Sequence, residues 1–146
     1  MESEYFYRTE VEWTGERHGD LRAPVLPGLK VDAPPEFQGH EGVWTPEHLF
    51  VASVNSCFMT TFLAIAGNSK LEFFSFKADA RGKLEKIDGQ GFVMTEIVLH
   101  PKLVISHARD AERARRILEK AEKHCLISNS IKTDTRLEPE INAGGV

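Results

Sequence analysis

From Leu49 to Ala66 the chain runs for 18 residues without a charged side chain. A stretch of that length and composition crosses a bilayer or forms the centre of a folded domain. Ser53, Asn55, Ser56, Thr60 and Thr61 interrupt it with hydroxyls and an amide, so the second reading is preferred: a core helix apolar nearly all round. Its start is well marked. Thr45 suits the N-cap, Pro46 the first helical position, and Glu47 the positive end of the dipole, while Gly67 can close the far end. The remaining segments must wrap this rod.

Residues 4–13 alternate as a strand that ends at Thr14-Gly15. A turn-rich stretch follows, punctuated by Pro24, Pro27, Gly28, Pro34, Pro35, Gly39 and Gly42, with room for one short strand near 28–32. After the helix, 75–85 alternates, with Phe74, Phe76, Ala78 and Ala80 on one face. Asp88-Gly89-Gln90-Gly91 turns the chain, and 92–105 returns, bent at Pro101. Ser106 caps an amphipathic helix to about His124, with Ala111, Ala114, Leu118, Ala121 and Cys125 on its apolar side. Residues 132–141 supply a last strand. The expected class is α+β, with mostly antiparallel sheets around a long buried helix, in one domain over 1–146.

A net charge of −4 with 27% charged residues disfavours nucleic acid or an anionic membrane as partner. The acidic opening Met1-Glu2-Ser3-Glu4 is unlike a secretory signal, so a cytoplasmic location is expected. In that reducing setting the two cysteines, Cys57 and Cys125, are either inert buried thiols or redox groups.

Cys57 falls mid-helix, on one stripe with Ser53, Thr60 and Thr61. The helix dipole does not reach it there, and burial alone raises a thiol pKa. A reactive Cys57 therefore calls for a cation from elsewhere. Arg8 belongs to a predicted strand. Arg17 lies in the glycine-flanked turn Gly15-Glu16-Arg17-His18-Gly19, and Arg22 follows it. A guanidinium folded over the helix wants a carboxylate, for which Glu47 is the candidate. Glu47 and Cys57 are ten residues apart, about 15 Å along one helix axis. Only two such helices crossing antiparallel bring them together, which implies a homodimer.

Thr45-Pro46-Glu47-His48-Leu49-Phe50, with Cys57 ten residues beyond Glu47, resembles the first signature of the OsmC/Ohr family (osmotically inducible protein C and the organic hydroperoxide resistance proteins). Cys125-Leu126-Ile127-Ser128-Asn129-Ser130 is similar to its second, Cys-Pro-x-Ser-Asn, with Leu126 in place of the proline. Thr45 stands where the first signature has asparagine. The Arg17 turn resembles the one carrying the catalytic arginine in the hydroperoxide-resistance branch, with Arg22 in reserve. The resemblance extends over essentially the whole chain and implies an intertwined homodimer with sites at its interface.

It also implies a thiol peroxidase. Cys57 is then the peroxidatic nucleophile, Cys125 the resolving thiol that closes an intrachain disulfide, and Arg17 the stabiliser of thiolate and peroxide. Glu47 orients Arg17, and Phe50, Phe58, Met59 and Phe62 wall a site for alkyl or fatty-acid hydroperoxides. No metal or organic cofactor is implied, only an external dithiol of lipoyl type. Rival readings are an OsmC-like redox sensor or other thiol chemistry, a hotdog-like thioesterase, and a non-enzymatic ligand-binding dimer. The histidines lack metal-pair spacing. Arg113, Arg115 and Arg116 interleave with Glu112, Glu119 and Glu122 as a solvated helix face.

Overall fold

The structure is a computed structural model and describes residues 3–144. Its elements are β1 (Glu10–Gly15), β2 (His18–Arg22), β3 (Leu29–Val31), α1 (Pro46–Asn68), β4 (Phe73–Ile87), β5 (Gly91–Ile105), α2 (Ala111–Lys123), β6 (Asp134–Leu137) and β7 (Glu140–Ala143). The class is α+β, as expected. The chain divides into two compact units, Met1–Phe50 and Val51–Val146.

In the first unit β1, β2 and β3 form an antiparallel sheet in that order. The expected strand over 4–13 is confined to its second half. No strand of this chain pairs with 4–9 among the described residues, and Phe6 and Tyr7 there are exposed. The turn around Arg17 is the tip of the β1–β2 hairpin, and a second strand that the sequence reading missed begins at His18. Gly19 explains the tightness of this pairing: a Cβ there would come within 2.5 Å of the Glu12 carbonyl oxygen. The proline-rich stretch is ordered by buried Asp32, whose carboxylate accepts the N–H groups of Ala33 (2.7 Å) and His40 (3.2 Å) and lies 2.8 Å from His40 Nδ1. These bonds close residues 32–40 into a loop around a short 3-10 turn, Pro35–Phe37.

Helix α1 starts as expected. Thr45 Oγ1 accepts the His48 N–H at 3.1 Å, which is N-cap geometry. It ends later than expected. Lys70, not Gly67, takes the left-handed conformation (φ 55°), and the Leu71 N–H reaches back to Ala66 O at 3.0 Å. That is a Schellman closure.

In the second unit Val54, Phe58, Phe62 and Ala66 form one fully buried stripe on α1. The Phe62 ring packs on Phe73 (5.4 Å between centroids) and stacks on Phe76 (4.8 Å), and Phe58 meets Phe76 at 6.0 Å. Each such ring contributes roughly 1.5–3 kcal/mol by leaving water. Met59 and Leu63, on other faces of the rod, are 39% and 43% exposed, so one chain buries only part of its apolar helix. Phe74 was expected to share the inward face with Phe76. The register shifts between Phe73 and Ser75, which turns Phe73 inward and leaves Phe74 65% exposed.

Strand β5 is central, antiparallel to β4 and parallel to both β6 and β7. The tail therefore runs parallel within a mostly antiparallel architecture, because α2 carries the chain back to the start of β5 before β6 begins. It is also two strands, parted at Glu138-Pro139. Pro101, taken as a bend, is buried within β5 between the segments that pair with β6 and with β7. Helix α2 begins at Ala111 after a 3-10 turn with Asp110 at its N-cap, so Ser106 is not the cap. Ala114, Ile117, Leu118 and Ala121 are its buried face, while Ala111 is exposed.

Candidate functional site

The second unit brings the two cysteines together. Cys57 is partly exposed on α1, Cys125 is 1% exposed just past α2, and both are free thiols. The Cys125 thiol points at Val54 O, 3.9 Å away and three residues before Cys57 on α1. Beyond Cys125 the backbone coils at once. Asn129 N–H donates to Cys125 O (3.0 Å) and Ser130 N–H to Ile127 O (2.9 Å). The hydroxyls of Ser128 and Ser130 donate to Cys125 O (3.0 Å) and Leu126 O (2.7 Å). The carbonyls are thereby occupied within the coil. The Leu126 and Ile127 N–H groups favour the charged form of Cys57, and the Ser128 N–H that of Cys125.

The two thiols consequently differ. Burial pushes Cys57 up, but the Ile127 N–H, the Cys125 thiol, the Thr61 hydroxyl and the Leu126 N–H outweigh it, and the pKa lies below the ordinary thiol value. Burial also pushes Cys125 up. There the neighbouring Cys57 adds to the effect, the Ser128 N–H and hydroxyl oppose it, and the net shift is upward. No guanidinium takes part in either shift. Within one chain the Cys57 pKa is already lowered without a cation, by hydrogen-bond donors. The upward shift at Cys125 has burial as its main cause, rather than the preceding helix terminus. Ile127 and Leu126 as main-chain donors escaped sequence reading. The run of small hydroxyl and amide residues after Cys125 was the available signal, since such residues build tight hydrogen-bonded turns.

Thr60 and Thr61, placed on the Cys57 stripe by helical spacing, both donate to Cys57 O, at 3.1 and 2.7 Å. Thr61 Oγ1 is also 3.9 Å from Cys57 Sγ. Of the expected pocket walls, Phe58 and Phe62 are fully buried against β4 and have no surface to offer a substrate. Met59 keeps exposed surface, and Phe50 is half-buried.

The first unit holds the other two expected residues. Arg17, at the hairpin tip, donates through Nη2 to Gln38 Oε1 at 3.0 Å. Gln38 is presented by the loop that Asp32 closes. Arg22 is committed elsewhere, with Glu12, Asp20 and Glu10 at 3.2, 3.3 and 3.6 Å. Glu47 Oε1 is buried without a hydrogen-bond partner. Such an orphaned carboxylate oxygen calls for a donor. Among the described residues no group of three or more His, Cys, Asp or Glu is arranged to hold a metal ion.

A helix borne on a mixed sheet, with a half-buried free thiol and a buried one set against the same helix, defines an α+β protein with two neighbouring thiols. The chain belongs to the OsmC-like protein family, whose model matches residues 39–140. It is 25% identical over 152 residues to the uncharacterized protein YmaD of Bacillus subtilis (strain 168), covering 99% of each chain. An OsmC-like protein of unknown function from Vibrio cholerae shares its structure with a TM-score of 0.85 at 24% identity, over 93% of this chain and 99% of that one. An organic hydroperoxide resistance protein from Elizabethkingia anophelis gives 0.76 at 23%, over 99% and 100%. One from Legionella pneumophila, named OsmC, gives 0.76 at 22%, over 97% and 99%. These likenesses show the fold.

Proposed function

We propose that the protein is a cysteine-based peroxidase that reduces organic hydroperoxides to alcohols. The observation that carries this reading is the half-exposed Cys57 thiol on α1 with the buried Cys125 thiol set against the same helix at Val54, the Cys57 pKa shifted down and the Cys125 pKa up. The Cys57 thiolate attacks the outer peroxide oxygen, the O–O bond breaks, and the alkoxide leaves as alcohol after taking a proton. The sulfur becomes a sulfenic acid. Cys125 condenses with it, releasing water and forming the Cys57–Cys125 disulfide. An external dithiol restores both thiols by two exchange steps and leaves as its own disulfide.

Arg17 and Glu47 complete the site in a homodimer, the arrangement that supplies the orphaned Glu47 oxygen with a donor. The Arg17–Gln38 bond involves a neutral amide and is readily exchanged for a charged partner. The unburied apolar flank of α1 supports the same assembly, as does the exposed aromatic surface of residues 6–13.

The test is one stoichiometric dose of cumene hydroperoxide followed by mass spectrometry. A Cys57–Cys125 link within one chain, reversed by dihydrolipoamide and absent in Cys57→Ser, is expected. An unmodified pair, or thioester cleavage that survives Cys57→Ser, would overturn the reading.

A further inference from the structure

We infer that Gln38 is a positioning residue for Arg17, and that the buried Asp32 carboxylate holds Gln38 where it can serve. Two contacts join the β1–β2 hairpin tip to loop 32–40. Arg17 Nη2 donates to Gln38 Oε1 at 3.0 Å, and His40 Nε2 lies 3.5 Å from Glu16 Oε2. Consecutive tip residues thus meet the loop at two points, which limits the tip's angle as well as its distance. The loop is built to receive them. Asp32, only 2% exposed, binds the Ala33 and His40 N–H groups and His40 Nδ1. One carboxylate therefore fixes both the closure of the loop and the imidazole that faces Glu16. Gly39, next to Gln38, donates its N–H to Pro34 O at 3.0 Å, and a Cβ there would collide with Ala33 O. The backbone on both sides of that amide side chain is held.

Gln38 itself has φ 72°, a left-handed conformation that glycine adopts freely and a side chain disfavours. The residue is exposed, so burial does not offset that strain. What its side chain does there is accept from Arg17. The amide is neutral, so it engages one N–H of the guanidinium and leaves the others, with the full charge, for a thiolate or peroxide. A carboxylate at the same place would tie that charge down. The inference deepens the peroxidase reading and rests on Arg17 acting in it. One of its readouts requires no turnover, so the two fail separately.

Gln38→Gly is the decisive variant, because it relaxes the backbone while removing the acceptor. Nitrogen NMR relaxation of the Arg17 side chain in the full chain should show lower order than in wild type, while the His40 amide, bonded to Asp32, keeps its protection from hydrogen exchange. Gln38→Glu keeps an acceptor and should restore the order of Arg17. Turnover of cumene hydroperoxide by Gln38→Gly should fall about two- to tenfold in kcat/KM, the range of one exposed hydrogen bond. In an Arg17→Ala background the same substitution should add nothing. Unchanged Arg17 order in Gln38→Gly, a further loss of turnover in that background, or a rise in turnover overturns the inference. Should the wild type show no peroxide turnover, the peroxidase reading falls, and the relaxation of Arg17 still decides whether Gln38 holds it.

Discussion

Residues 3–50 and 51–144 are built on opposite plans. Apart from Pro34, every buried aliphatic or aromatic side chain among the described residues lies beyond residue 50, from Val54 on α1 to the inner faces of β5 and α2. Before residue 50 the buried side chains include Asp32 and Thr45, while Phe6, Tyr7, Val11, Trp13 and Trp44 stand exposed. The later segment holds itself together by apolar burial and brings its two thiols to one helix from within. The earlier segment is organised by hydrogen bonds around one carboxylate, and the candidate residues Arg17 and Glu47 are left with a neutral amide and an unpartnered oxygen. A region that orders its backbone by polar bonds and leaves its aromatics outside is suited to be completed by another surface.

That contrast can be broken at four points. The largest effect is expected in the apolar core. Phe62→Ala removes a ring packed on Phe73 and Phe76 and should cost about 3–5 kcal/mol of stability, read from the denaturant midpoint. A loss under 1 kcal/mol would mean that the stripe is not the core. Next comes Arg17→Ala, expected to slow peroxide turnover by about 10- to 100-fold in kcat/KM. Arg22→Ala, at an exposed site already shared among three carboxylates, should change it little. Equal effects would move the role away from Arg17.

Trp13→Glu should act on assembly rather than on the fold. Its indole is 75% exposed, with Nε1 donating to Glu16 O. A shift to half the dimer mass in gel filtration, with an unchanged circular dichroism spectrum, is expected, corresponding to about tenfold or more weaker association. A dimer of undiminished affinity would place the interface elsewhere.

The smallest effect concerns pH. The Asp32 carboxylate beside His40 raises the His40 pKa, and His40 in turn, with the Ala33 and His40 N–H groups, holds Asp32 below its ordinary value against the opposing effect of burial. The His40 contribution is complete below its unfolded value near 6.5 and is lost as pH rises through the higher folded value. The Asp32 contribution is present above 3.8 and is lost as pH falls through the lower folded one. Loop 32–40 should therefore be most protected between those limits. Hydrogen exchange at the His40 amide, corrected for its intrinsic pH dependence, should quicken as pH rises past His40's titration, and Asp32→Asn should abolish that step.

Sequence reading reached α1 to within two residues because cap chemistry and an uncharged run are local signals. It reached the β4–β5 hairpin for the same reason, through alternation and the glycines at 89 and 91. It misassigned what depends on distant partners. Alternation over 4–9 marks a potential strand, yet pairing needs a neighbour that no other strand among the described residues supplies. The bulge at Phe73–Ser75 is set by which phenylalanines fit against Phe62. Cys57, Cys125, Arg17 and Glu47 were all named from motifs, and the structure adds how each is held.

What the sequence determined alone is the inventory: a capped apolar rod with a thiol at its midpoint, a second thiol after an amphipathic helix, and an arginine at a glycine turn. Residue type and spacing act over a few positions, and these features need nothing further. Only the tertiary structure decided the character of the thiols. Burial and hydrogen bonding act over a few ångströms, and the Cys125 thiol, 71 residues along the chain from Val54, comes within that range of the α1 backbone only once the chain has folded.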